Sequence, residues 1–335
     1  MLIGITTPEK FYFDEVHYVP AARQMLEPVM PQPMLNPMHP PLAKQIIAAS
    51  IHQFGDVPLG WRYPAVLFGA LALVAVYLCG LALFAAQGPA IAASLLAFFN
   101  QMLFVQSRIA MLDIFALTFG LFATAAFLHG YRARRPHLWF ALAGLASGFS
   151  IACKWSGLFV LAVCIVIVAA IRLMQSWRTQ FADGNADDWY RPDLWPTFKA
   201  WHFAACFLLI PALAYLSTFV PLYGLSVPDI LEAQRRIFSD NTTTAIAGHT
   251  YMSSWPSWPL LMRPVWYLFD KIADDRIDAV VFLGNPQDPI LPGRCCRERL
   301  VSSIIICRRR LRRAWCWSMR SVAALRRAGC CGALL

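Results

Sequence analysis

The stretch Tyr63 to Phe84, YPAVLFGALALVAVYLCGLALF, decides the fold class. It contains no charged side chain, and as a helix it is long enough to cross about 30 Å of hydrocarbon. Comparable apolar stretches follow at about 89–105, 112–130, 138–152, 157–171 and 203–220, and an incipient seventh runs from Ala279 to Gly284. Composition agrees: the 335 residues are 58% hydrophobic and only 14% charged, with a mean hydropathy of +0.51. An ordinary soluble domain has about a quarter of its residues charged. The expectation is an all-α, polytopic transmembrane helix bundle.

The segments between the spans set its sidedness. Arg132, Arg134 and Arg135 form a compact basic turn, which the positive-inside rule places in the cytoplasm. Counting crossings from there puts the first loop (1–61), the segment 108–113, the link Lys154-Trp155 and the loop 222–276 together on the outer face, with 172–201 inside. Within the first loop, His39-Pro40-Pro41-Leu42-Ala43-Lys44 opens a short helix, because proline is tolerated in a first turn. Ile47, Ile51 and Phe54 share one face of it at helical spacing, so this helix is expected to lie along the membrane surface. The first ten residues hold no apolar run of signal-peptide length.

The formal charge of +10 is not spread over the chain. Residues 1–286 nearly balance, whereas 287–335 hold 11 Arg, 2 acids, no Lys and six of the ten cysteines. Such a tail after Gly284-Asn285-Pro286 reads as out-of-frame translation, so residues 1–286 are expected to be the membrane domain and the tail to carry no function. No nucleic-acid partner is expected. Its Cys spacings are irregular and lack histidine, which disfavours a zinc site. Cys79, Cys153, Cys164 and Cys206 fall in or at the ends of apolar spans as small core residues.

The chemistry-bearing stretch is Phe11-Tyr12-Phe13-Asp14-Glu15-Val16-His17-Tyr18. Adjacent carboxylates beside an apolar surface raise one another's pKa, and a carboxylate so tuned can take a proton from a hydroxyl. Asp14 and Glu15 are therefore the candidate catalytic residues, with His17 beside them. Arg108, five residues before Asp113 at a span boundary, either snorkels to the headgroups or presents its planar fork to a phosphate. Lys154, with Trp155, poses the same alternative. His39 and Lys44 flank the start of the short helix and face a lipid phosphate or water. The aromatic and proline-rich segment His249 to Pro259, with Trp255, followed by Arg263, is either an interfacial loop or a rigid lid over a sugar or prenyl chain. A shared outer face suits an enzyme that draws a lipid-linked substrate from the outer leaflet. A transporter would more naturally place its ionisable groups at the bilayer midplane.

These motifs, taken in order, with spacing and side, resemble the protein O-mannosyltransferase family, whose bacterial branch uses a polyprenyl-phosphate sugar. The resemblance covers residues 11–285. It implies a GT-C-class membrane enzyme with a catalytic extracytoplasmic loop, transferring mannose with inversion from a polyprenyl-phosphate donor to Ser or Thr hydroxyls of exported proteins. On matching positions it implies Asp14 as the acceptor-side base with Glu15 beside it, Arg108 on the donor phosphate and Lys154 assisting. No cofactor is required and no metal ligand is assigned, although the carboxylates can hold a divalent cation. The inner (plasma) membrane is the implied location, with membrane lipids as surroundings. Two rival functions are a lipid-directed transferase resembling aminoarabinose transferases and a transporter or flippase of anionic amphiphiles. The family pattern also has a span before the Asp-Glu loop and further spans after Asn285, so the sequence is expected to be a truncated, frameshifted product, with an inactive fragment as the remaining alternative.

Overall fold

The computed structural model describes residues 1–29, 31, 35–181, 195–243, 265–273, 276–282 and 305–306. The chain is a helical membrane bundle with a small outer layer. Helix α1 (Glu15–Gln24) and α2 (Leu42–Phe54) come from the first loop. The bundle follows: α3 (Pro58–Phe84), α4 (Gln87–Phe98), α5 (Gln101–Gln106), α6 (Asp113–Arg132), α7 (His137–Cys153), α8 (Leu158–Phe181), α9 (Ala200–Ala204) and α10 (Ile210–Ser217). Four helical stretches, Pro58–Phe84, Asp113–Arg132, Trp155–Trp177 and Ala200–Ser217, are long and apolar enough to span a membrane. Gln87–Phe98 and His137–Cys153 are apolar but shorter.

Local chemistry explains where these helices end. The stretch 89–105 is divided because Asn100 leaves the helix and its side chain accepts from the Leu103 N–H at 3.0 Å, capping a new helix, α5. Between α9 and α10 the turn widens to i→i+5 spacing over Ala205–Leu209, just before Pro211, whose ring nitrogen has no hydrogen to give the ladder. The widened turn lies hard against α7. A methyl group on Gly144 would meet the Cys206 carbonyl at 1.9 Å, and one on Gly148 would meet the Pro211 carbonyl at 2.5 Å. Only glycine admits this approach of two helices, a small-residue contact of the kind that packs helices in lipid.

Alternating direction brings the functional segments to one end of the bundle. Helix α3 starts beside the first loop and ends in the Ala85–Ala86 turn; α6 starts at Asp113 and ends at Arg132; α7 returns to Lys154. At the opposite end Arg132 donates to the Ala82 carbonyl, and Trp195 Nε1 donates to the Tyr131 carbonyl at 3.1 Å. The core under the functional end is built from Tyr18, Val19, Ile47, Ile51, Trp61, Ile109, Leu112 and Phe115, all buried. Ile47 and Ile51 are thus buried within the protein, whereas Phe54 is exposed and rests near Tyr63, with ring centroids 4.8 Å apart.

The outer layer adds structure that hydropathy alone does not specify. After the short α11 (Val220–Tyr223) comes α12 (Val227–Thr243), and then a hairpin of β1 (Val265–Ala273) and β2 (Arg276–Phe282), antiparallel with Val265 opposite Phe282. A two-residue strand, β3 (Ile305–Ile306), pairs with β2. Ala279 to Phe282, the beginning of the expected seventh span, therefore belongs to a strand. It pairs antiparallel with Val265 to Phe269 of β1, with a bulge at Tyr267, so its backbone groups are taken up by a ladder and not by a helix. The remainder of the tail at 287–335 lies outside the described residues.

Candidate active site

The two adjacent carboxylates have opposite surroundings. Phe13 takes a left-handed backbone conformation, φ +52°, and its ring stacks on Tyr267 of β1 at 4.0 Å between centroids. A positive φ at an aromatic residue is strained and persists only where packing holds it. It sits at the kink before α1, which sends Asp14 and Glu15 to different neighbours. Glu15 is fully buried. Its carboxylate accepts from Arg62 Nε and Nη2, both at 2.8 Å, from the Ala110 N–H at 3.0 Å and from the Tyr12 N–H at 3.3 Å. Arg62 is equally buried and uses its remaining donors on the carbonyls of Ile5, Pro8 and Lys10. The pair is a bidentate, fully satisfied knot that ties the first loop to α3 and to the segment before α6.

Asp14 is half-buried and accepts from the Tyr18 hydroxyl. Burial raises its pKa above the ordinary carboxylate value; His17 opposes this, Asp113 adds to it, and Lys154 and the Tyr18 hydrogen bond oppose it. Those interactions identify the neighbourhood: Asp14, His17, Tyr18, Asp113 and Lys154 share one electrostatic cluster. Lys154 Nζ donates to Asp113 Oδ1 at 2.7 Å, with both side chains about one-third exposed. Lys154 stands where α7 stops and the chain turns through Trp155–Gly157 into α8, an extended residue at the helix end. His39 is half-buried beside the same group, and burial, then Lys154 and Lys44, lower its pKa to about 4, so it is neutral at physiological pH. Its ring lies 6.2 Å from that of Tyr18.

The other sequence-predicted residues are placed differently. Lys44 is buried, which lowers its pKa to about 7, and its amine donates to the Asn36 and His39 carbonyls, both at 2.9 Å. It holds the loop that carries His39. Trp155 Nε1 donates to the Tyr215 hydroxyl at 3.3 Å, which in turn donates to Gln234 at 2.6 Å, so Trp155 joins α10 and α12 to the site. Arg108 is on the Tyr12 side: it donates to the Met1 carbonyl, lies over the Phe104 ring at 5.3 Å and lines a small cavity of 20 Å³ with Ile5, Thr7 and Tyr12. It is not among the groups that shift Asp14. His249, Trp255 and Arg263 lie outside the described residues.

Arg62 was not singled out from sequence, although an arginine heading an apolar helix downstream of an unpaired acid was the available signal. A cleft of 620 Å³ completes the picture. Along α6 it is lined by Asp113, Leu117, Gly120, Leu121 and Thr124, one helical stripe. From Asp113 to Thr124 the stripe descends about 16 Å at about 1.5 Å per residue. Its walls are largely apolar; the one ionisable side chain lining it among the described residues is Asp113, and Gln106 and Ser156 also line it. Such a cleft can hold an extended apolar chain with its polar head beside Asp113 and Lys154. Among the described residues no three His, Cys, Asp or Glu side chains converge as a metal site would require.

The family model for dolichyl-phosphate-mannose-protein mannosyltransferase matches residues 52–222. The chain is 30% identical, over an alignment of 339 positions, to a polyprenol-phosphate-mannose–protein mannosyltransferase of Mycolicibacterium smegmatis, covering 82% of this chain and 63% of that protein. A protein of the same description from Corynebacterium glutamicum is 32% identical over 181 positions, 45% of this chain and 35% of its own. One from Mycobacterium tuberculosis is 26% identical over 338 positions, 82% of this chain and 62% of its own. The chain thus spans a little under two thirds of the length of the first and third of these relatives.

Proposed function

The chain belongs to the dolichyl-phosphate-mannose-protein mannosyltransferase family, and from that premise we propose that it moves a mannosyl group from a polyprenyl-phosphate donor to Ser or Thr hydroxyls of exported proteins. The observation that carries the reading is the position of Asp14. It is a half-buried carboxylate with a raised pKa, in no ion pair among the described residues, beside the Lys154–Asp113 pair, whose Asp113 lines an apolar cleft.

The chemistry follows from the charges. The acceptor hydroxyl oxygen bonds to the anomeric carbon from one face while the bond from that carbon to the phosphate oxygen breaks on the other, inverting the configuration. The hydroxyl proton passes to the Asp14 carboxylate, whose raised pKa makes it a better base than an ordinary aspartate. The departing lipid phosphate takes the bonding electron pair, and a fixed cation stabilises that charge in a water-poor site. Lys154 is the lysine whose charge acts on Asp14. Arg108, on the Tyr12 side, is the second cation offered to the donor phosphate by family resemblance; its bond to the Met1 carbonyl is a contact that a phosphate oxygen can replace. The site end of the bundle faces outside the cytoplasm of a plasma membrane, with the Arg132 end inside. Glu15 supports the site through Arg62 without touching substrate.

The test is transfer of labelled mannose from polyprenyl-phosphate mannose to a Ser/Thr-rich acceptor peptide by the chain in lipid. Transfer by the unaltered chain, abolished in Asp14→Asn, is expected. Transfer that survives the substitution would remove Asp14 from the role of base.

A further inference from the structure

Gln106, the last residue of α5, has no part in the mechanism above. Its side chain lines the 620 Å³ cleft together with Asp113. The amide is oriented from one side: Nε2 donates to the Tyr267 hydroxyl at 2.9 Å. Tyr267 is itself held between Phe13, stacked at 4.0 Å, and Phe282, stacked at 5.2 Å. The amide carbonyl is therefore fixed, and among the described residues Gln106 Oε1 is buried with no hydrogen-bond partner. Asp113 Oδ2, in the same cleft, is in the same condition, since Lys154 bonds only the other oxygen. A buried acceptor without a donor is costly, and two in one cleft point to a ligand that brings donors. An apolar chain has none. Vicinal hydroxyls on the head of that chain supply them.

We propose that Gln106, oriented by Tyr267, and Asp113 form the sugar-reading edge of the cleft, their free oxygens accepting from hydroxyls of the hexosyl group on the lipid-linked donor. The proposal rests on the donor class given above and adds the residues that distinguish a glycosylated lipid phosphate from a bare one. A bare lipid phosphate offers no donors and leaves both oxygens unpaired, so the site discriminates against it. After transfer the spent lipid phosphate loses these contacts, which favours its release.

Equilibrium binding of polyprenyl-phosphate mannose and of bare polyprenyl phosphate, with the full chain in lipid nanodiscs, tests this. The unaltered chain is expected to prefer the mannosyl lipid. Gln106→Leu should weaken the mannosyl lipid about tenfold and leave the bare lipid phosphate unchanged. Tyr267→Phe, which keeps the amide but frees it to rotate, should lose part of the preference. Should Gln106→Leu fail to fold, donors lacking single sugar hydroxyls take its place on the unaltered chain, and at least one should bind about tenfold more weakly. Equal binding of the mannosyl and bare lipids, a full preference retained by Gln106→Leu, or indifference to every deoxy donor overturns the proposal while leaving a lipid-phosphate site intact. Failure of the unaltered chain to bind either lipid overturns the donor class as well.

Discussion

Asp14 and Glu15 are neighbours in sequence with the same functional group, yet one sits in the field of the Lys154–Asp113 pair and the other is locked to Arg62. Glu15 accepts four hydrogen bonds, two of them from a buried guanidinium. Asp14 accepts one from Tyr18, and among the described residues the charges that act on it are a neighbouring histidine, a carboxylate and a lysine. The difference teaches that a carboxylate suited to take a proton is one left incompletely neutralised, and that the saturated partner beside it fixes where it stands. The turn at Phe13 makes the division, because it directs the two side chains to different neighbours.

Substitution should separate the two roles. Asp14→Asn is expected to lower transfer by about 10²- to 10⁴-fold, the usual contribution of a positioned base, with no loss of thermal stability. Glu15→Ala should do the reverse. It leaves Arg62 charged and buried without a partner, a cost of roughly 3–5 kcal/mol, so the variant should accumulate poorly and unfold at lower temperature in detergent. Lys154→Met should lower kcat/KM by about a hundredfold through lost stabilisation of the leaving phosphate, with the fold retained.

pH sharpens the same contrast. The Asp14 pKa is higher in the folded chain than in the unfolded one, mainly through burial. Between the two values the folded chain keeps a proton that the unfolded chain releases, so stability falls as pH rises through that window. Asp14→Asn removes this term and should flatten the slope of melting temperature against pH, and the acid limb of kcat/KM should lie above the ordinary carboxylate range. The smallest effect is expected at Trp155→Phe, which loses one part-buried hydrogen bond to Tyr215 and should cost about 1 kcal/mol with transfer nearly unchanged.

Much of this arrangement was legible in the chain. The helical bundle follows from apolar length, and the gathering of the first loop, Asp113 and Lys154 at one end follows from counting crossings. Asp14 was singled out with Glu15 as one of two adjacent acids, on the strength of the other polar motifs that share their side of the bundle. Its separation from Glu15 was not legible, since the partner that saturates Glu15 is Arg62, 47 positions away and hidden at the head of an apolar helix. The Lys154–Asp113 pair closes over 41 positions and depends on how α6 and α7 pack. Asn100 marked the end of an apolar run, but its capping bond, which starts a new helix and aims Gln106 at the cleft, is a matter of backbone geometry. Strand β2 looked like the start of a span because four apolar residues fit either form; pairing with β1 decides between them.

The most direct test of the central claim measures two quantities on the same preparations of the unaltered chain, Asp14→Asn and Glu15→Gln: mannose transfer from polyprenyl-phosphate mannose, and the unfolding temperature. The expected result is that Asp14→Asn loses transfer and keeps its unfolding temperature, whereas Glu15→Gln loses stability first and regains transfer in proportion to the folded fraction. Equal loss of transfer per folded molecule in both variants would contradict the division of roles between the two carboxylates.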